Sequence, residues 1–190
     1  ATLGVGLPGF SLGLSGCDSA KTLPKELNVD FVVIGGGLGG CAAALSALQS
    51  GLTVIMTEET DWIGGQLTSQ GVPPDEHQWI EKFGCTQTYR DLRNAIRNHY
   101  KKNYPLTADA RSNKVLNPGS GSVSRLCHAP RVALACLEEK LKPFISSGKL
   151  RLLKKTIPEA VETENDEVKS VEVLNLESNK QLILRGRFFA

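Results

Sequence analysis

The hydrophobic pattern divides the chain into a few plain blocks. Phe31-Val32-Val33-Ile34 is an unbroken apolar run, the pattern of a strand buried on both faces of a parallel sheet. Cys41 to Leu48 is rich in alanine and leucine and predicts a helix, ended by Gly51 in the place where a glycine commonly follows a helix C-terminus. Leu52-Thr53-Val54-Ile55-Met56 is a second apolar strand that leads to Glu58. Residues 30–57 thus make one βαβ unit, with the right-handed crossover expected of parallel strands.

Further along, Tyr89, Leu92, Ile96 and Tyr100 recur at three- and four-residue steps, and they predict a helix over residues 78–104. Arg90, Arg93, Arg97 and Lys101 form a second, basic face of that helix. It reads as a solvated face, with anionic lipid or a substrate as the less common partner. Residues 105–129 are irregular. Pro130 suits the first position of a helix that continues through Val132–Leu141 and stops before Pro143. Leu150–Leu153 is a short strand. Glu159–Thr163, Val168–Leu176 and Gln181–Phe189 form an antiparallel meander, turned at Asn165-Asp166 and Ser178-Asn179.

The first chemistry lies between the first strand and the first helix. Gly35-x-Gly37-x-x-Gly40 has the spacing of a dinucleotide-binding turn. Gly35 permits a tight turn, Gly37 lets a phosphate reach the backbone, and Gly40 lets helix and strand pack closely. The free N–H groups of the first helical turn then face the anion. Glu58 follows about 20 residues later, where a carboxylate holds the ribose hydroxyls. An acid there, with Glu59 beside it, implies a free 2′-hydroxyl and therefore FAD or NAD rather than NADP. Next comes Gly64-Gly65, a second place of close backbone approach, with Gln66, Thr68, Ser69 and Gln70 as short polar groups.

Composition adds little and excludes some classes. Hydrophobic residues at 41% and charged residues at 22% are ordinary for a globular domain, and a net charge of +2 makes no case for nucleic acid. The five cysteines include no closely spaced pair, so neither a zinc knuckle nor a redox pair is spelled out, and no metal site is expected. Cys41 and Cys136 read as small buried hydrophobes.

Residues 1–16 are apolar, uncharged and rich in glycine, and read as a secretory segment rather than a core element. Leu14-Ser15-Gly16-Cys17 resembles a bacterial lipobox, in which cleavage leaves the cysteine for lipid attachment. A glycine-rich leader with a chance Leu-Ser-Gly-Cys is the other reading. The low hydrophobicity resembles signals of the twin-arginine route, which exports folded proteins. The expected organisation is a leader over residues 1–20, a linker over 21–28 and a binding domain over 29–190. The expected location is the bacterial cell envelope, exported or anchored through a lipidated Cys17; the cytoplasm is the alternative.

Val32-Val33-Ile34-Gly35-Gly36-Gly37-Leu38-Gly39-Gly40, Glu58 and the stretch Trp62 to His77 together resemble the FAD-dependent oxidoreductase family. That family is a branch of the glutathione-reductase-like flavoproteins, related to the flavin subunits of heterodisulfide reductase and fumarate reductase. The likeness runs from about residue 29 onward and is renewed at Leu116–Gly119 and Val123–His128. It implies a Rossmann-like α/β fold, a parallel sheet with helices and an antiparallel meander crossover. It implies that Gly35, Gly37, Leu38, Gly39 and Gly40 hold the pyrophosphate of FAD and that Glu58 holds the adenosine ribose. Gly64, Gly65, Gln66 and Thr68 would lie along the pyrophosphate and flavin. Family members continue past the position of Ala190 into an Asp-Ala-Thr-type segment that returns to the sheet, so the fold is expected to be incomplete at this end. Where members often carry an acid between the histidine and the proline, this chain has Ala129.

The expected activity is hydride or electron transfer at the flavin. The alternatives are a nicotinamide-dependent oxidoreductase, which the Gly-Gly-Gln segment disfavours, and a non-catalytic truncated lipoprotein. No catalytic residue stands out; Asp75, His77, Arg125 and His128 are the polar groups that could reach a substrate.

Overall fold

A computed structural model describes residues 24–190. The leader, Cys17 and the lipobox-like sequence lie outside the described residues. Six strands form one sheet in the order β3-β2-β1-β6-β5-β4. β1 (Lys25–Val33) is central, parallel to β2 (Val54–Thr57) on one side and to β6 (Lys180–Phe189) on the other. β3 (Leu150–Leu153) extends the parallel half beyond β2. β5 (Glu167–Asn175) and β4 (Thr156–Glu164) extend the sheet antiparallel beyond β6.

Helix α1 (Leu38–Gln49) packs on β1 and β2 because its small residues allow close approach: Ala44 is fully buried, with Cys41, Ala47 and Leu48 beside it. Helix α4 (Pro130–Ser146) packs on β3, and α2 (Gln87–Asn103) packs on α4. Their apolar faces meet in one core around Val33, Leu48, Met56, Ile96 and Leu137. Alternate strand residues point to the other face of the sheet, where Val32, Ile55, Val171, Val173 and Leu184 form a smaller cluster.

Several boundaries differ from the sequence reading for local physical reasons. β1 starts at Lys25, inside the stretch read as linker, because Leu27 and Val29 alternate with polar residues and join the second cluster. α2 starts at Gln87 and not at residue 78. The Thr86 hydroxyl accepts the Tyr89 N–H at 3.3 Å and caps the helix, just after Gly84 turns the chain at φ +86°. A short helix, α3 (Ala108–Ser112), interrupts the irregular stretch. α4 runs through Pro143 to Ser146. Pro143 and Glu139 are both exposed, so the carbonyl that loses its helical donor can turn to water. The meander is as expected, with Asn165, Asp166 and Asn179 at positive φ in its turns.

The meander also ends differently from expectation. Its last strand, β6, already enters the parallel sheet beside β1, from Lys25 opposite Leu182 to Val32 opposite Phe189. Ile34 N–H donates to the Ala190 carbonyl at 2.7 Å, directly before the glycine turn.

Candidate cofactor site

The glycine turn joins the carboxyl end of β1 to α1. Gly35 sits at φ +108°, in the left-handed region where a side chain is strained, and its N–H donates to the Thr57 hydroxyl at 3.0 Å. A Cβ on Gly40 would drive into the Gly35 carbonyl oxygen, so only glycine allows this helix to start here. A Cβ on Gly37 or Gly39 would meet nothing, so these two positions face open space. The first helical bond of α1 runs from Cys41 N–H to the Gly37 carbonyl at 2.9 Å, leaving the N–H groups of Leu38, Gly39 and Gly40 without an intrahelical acceptor. No side chain caps this end and no acid stands in its first turn, so the positive end of the helix is free for an anion.

Glu58 lies at the carboxyl end of β2 and is 6% exposed. Its Oε1 accepts the Thr60 N–H at 2.8 Å and the Thr60 hydroxyl at 2.7 Å. Its Oε2 is turned towards Gly36, where a Cβ would come within 2.9 Å of it. One carboxylate oxygen is thus fixed by the turn, and the other lines the glycine segment.

The second glycine pair is tied to the first. Gly64 N–H donates to the Gly36 carbonyl at 2.7 Å, and Gly37 and Gly64 form a parallel bridge. Gly64 sits at φ +104°, where a Cβ would lie 2.6 Å from Leu137 of α4. Gly65 approaches the Gly37 Cα closely enough that its own Cβ would stand 3.2 Å away. Gln66 is exposed. Thr68 departs from the expected role: it is 1% exposed and its hydroxyl donates to the Ile63 carbonyl at 2.6 Å, so it shapes the turn from inside. Leu38 is half-buried at the mouth of an apolar cavity of about 240 Å³ between α1, α2 and α4.

Cys41 donates to the Gly36 carbonyl at 3.3 Å, and burial, helped by the Glu58 charge, pushes its thiol up to about 12. It is a packing residue here. Burial likewise pushes Cys136 up to about 11.

The four polar groups singled out for substrate contact separate. Asp75 is exposed. His77 is folded into its own loop, with Nδ1 accepting the Trp79 N–H at 3.2 Å and Nε2 at 3.3 Å from the Gly84 carbonyl. Arg125 is exposed. His128 is half-buried, with Nδ1 at 2.8 Å from the Leu126 carbonyl; burial holds its pKa below the ordinary value.

The basic face of α2 is buried at its centre, while Arg90 and Lys101 remain partly exposed. Arg93 is 1% exposed and Arg97 is 3% exposed. Arg93 bonds to both Glu76 and Glu81. Arg97 reaches Glu81 at 2.6 Å and the Leu116 carbonyl at 2.9 Å, and the Tyr89 hydroxyl donates to Glu76 at 2.5 Å. Burial alone would raise the Glu81 pKa, but bonds from Arg97 and the charge of Arg93 hold it below the ordinary range. The network pins the segment after the second glycine pair to α2.

A sequence profile of the FAD dependent oxidoreductase family matches residues 30–189. Bilirubin reductase of Mediterraneibacter gnavus is 31% identical over 116 residues, 60% of this chain and 17% of that protein. NADH:acrylate oxidoreductase of Vibrio harveyi is 40% identical over 67 residues, 34% of this chain and 6% of that protein. The chain therefore spans less than a fifth of the length of these relatives. Among solved structures, the Sdh1 complex of Mycobacterium smegmatis in its apo form superposes with a TM-score of 0.54 at 14% identity, over 87% of this chain and 34% of that one. A variant of E. coli quinol fumarate reductase FrdA gives 0.51 at 12% identity, over 87% and 33%. These two likenesses speak for the fold. With the profile covering most of the sequence, the chain belongs to the FAD dependent oxidoreductase family, and FAD is its cofactor.

Proposed function

We propose that this chain is the FAD-binding part of an oxidoreductase, and that the glycine turn, Glu58 and the second glycine pair form its cofactor cradle. The observation that carries the reading is the pair of open positions, Gly37 and Gly39, beside the Glu58 oxygen that lines Gly36. Gly35, Gly37, Leu38, Gly39 and Gly40 would hold the pyrophosphate through backbone N–H groups and the end of α1. Glu58 Oε2 would accept from the ribose hydroxyls while Thr60 keeps the carboxylate aimed. The backbone of Gly64, Gly65 and Gln66 would border the cofactor beyond the pyrophosphate, with Thr68 fixing that turn. FAD, when bound, supplies hydride or electron transfer at its isoalloxazine ring. The two curated relatives are both named as redox enzymes, which supports a redox activity without selecting a substrate.

The purified protein should be yellow, with FAD as the flavin released on denaturation and identified by chromatography. A colourless protein that fails to take up added FAD but retains NAD would overturn the reading.

Leu14-Ser15-Gly16-Cys17 supports export and lipid attachment in a bacterial envelope. Metabolic labelling of the full gene product with radioactive palmitate should mark the protein and should fail with Cys17→Ser; labelling that survives this change would remove the proposal.

A further inference from the structure

A second concave site lies where the segments 71–86 and 113–129 come together over the ion network. The cleft measures about 410 Å³, within the range of roughly 300–1,000 Å³ that small-molecule sites occupy. None of its lining residues belongs to the glycine cradle.

Two segments line it, and each contributes one apolar residue to a lining that is otherwise polar. Trp79 and Val115 are each 51% exposed. The Trp79 indole belongs to a cluster of exposed rings: the Phe83 ring lies nearly parallel to it with centroids 6.1 Å apart, and His77 stands beside both. An exposed indole with only two side-chain torsions offers a flat surface at a modest cost in side-chain entropy.

The polar groups of the cleft divide into used and unused. Glu81 is occupied by Arg93 and Arg97. Asn117 donates to the Gly121 and Ser124 carbonyls at 2.9 and 3.1 Å and accepts the Cys127 N–H at 2.6 Å, which stiffens its wall. By contrast, among the described residues the Lys82 ammonium and the Arg125 guanidinium have neither an ion pair nor a hydrogen bond, although both line the cleft. Of the ion network only Glu81 lines the cleft, and Arg90, Arg93 and Arg97 together face it and Glu76, so three guanidinium groups offset two carboxylates and leave a net positive charge. A field of this sign favours an anion, and a guanidinium favours one with the planar fork of a carboxylate.

We propose that this cleft binds a small organic carboxylate with a flat apolar body. The carboxylate meets Arg125 and Lys82, and the body lies on the Trp79 indole against Val115. The site stands independently of the cofactor cradle.

The chain has two tryptophans, so binding can be read from the emission of Trp79 in a Trp62→Phe background. Benzoate should quench that emission saturably, while benzamide, of the same shape without the charge, and acetate, without the ring, should each bind at least about tenfold more weakly. Arg125→Gln and Lys82→Gln should each weaken benzoate by about tenfold. Both residues are exposed groups without partners among the described residues, and circular dichroism verifies that the variants remain folded. Equal binding of benzamide or acetate, unchanged affinity in both glutamine variants, or no saturation up to about 50 mM benzoate would overturn the proposal. Flavin absorbance followed in the same samples reports on the cradle separately, so failure of one site is distinguishable from failure of the other.

Discussion

At the glycine turn, polar groups are presented by removing side chains; on α2, they are buried by using the longest side chains available. The turn offers backbone N–H groups and one carboxylate oxygen to a ligand, with Gly37 and Gly39 open. The α2 face turns two guanidinium groups inward and closes them on Glu76 and Glu81. The first arrangement leaves its groups unsatisfied by the protein, as a ligand cradle would; the second is largely satisfied by the protein and is structural. Charge alone therefore says little about function in this chain. The centre of the most charged helix face is internal scaffolding, while the proposed cradle carries a single acid.

The largest effect should come from breaking the scaffold. Arg93→Met leaves Glu76 and Glu81 under-compensated in a buried place, and removal of one buried partner costs about 3–5 kcal/mol. Urea unfolding should show the loss, and a change below about 1 kcal/mol would mean that the network is no better than a surface pair.

The cradle should respond in the opposite manner, with binding lost before stability. Gly40→Ala forces a methyl group into the Gly35 carbonyl, an overpacking of about 1–3 kcal/mol, and should yield protein without flavin. Glu58→Gln removes a charged acceptor, worth about 1.5–3 kcal/mol in such bonds, so FAD affinity measured by equilibrium dialysis should fall by at least about tenfold while the apoprotein unfolds nearly as before. A Glu58→Gln protein that keeps full affinity would shift the ribose role to Glu59.

Acid should act on the scaffold in two windows. Folded His128 has a pKa below its ordinary 6.5, so between the two values the unfolded chain binds the extra proton and stability drops as pH falls. Folded Glu81 lies below its ordinary 4.5, so its contribution is present above pH 4.5 and is lost as pH falls through the folded value. Both slopes have the same sign, and His128→Asn should remove only the first. A stability profile that is flat between pH 7 and 5 in the parent protein would exclude the His128 contribution.

The smallest effect concerns thiols. At pH 8 iodoacetamide should reach the half-exposed Cys85 before Cys41 and Cys136, whose thiols burial holds at about 12 and about 11. Fast labelling of Cys41, located by peptide mapping, would show that the turn opens.

The contrast between the two regions also explains what the sequence disclosed. The glycine turn is legible because its parts are contiguous and each glycine answers a local steric demand. The ion network is not, because Arg93 and Arg97 find their acids 12 to 17 residues earlier, across turns that carry no periodic signal. The periodic residues of α2 begin only at Tyr89 and leave its start open; Gly84 and the Thr86 cap decide it. Pro143 reads as a helix stop, yet its exposed position makes the lost bond cheap. Thr68, which the family resemblance places along the cofactor, is turned inward by a carbonyl five residues before it.

The placement of β6 has a consequence for how the molecule comes into being. β1 carries the glycine turn, and its neighbour β2 follows within a few tens of residues, but its other neighbour is encoded at the far end of this sequence. During synthesis β1 is therefore a sheet border, with half of its backbone groups unpaired, until residues 180–189 have left the ribosome. The Ile34–Ala190 bond that steadies the approach to Gly35 forms only then. The edge of the strand that leads into the glycine turn is accordingly closed only after residues 180–189 have emerged, and until then it is open to pairing with the wrong partner.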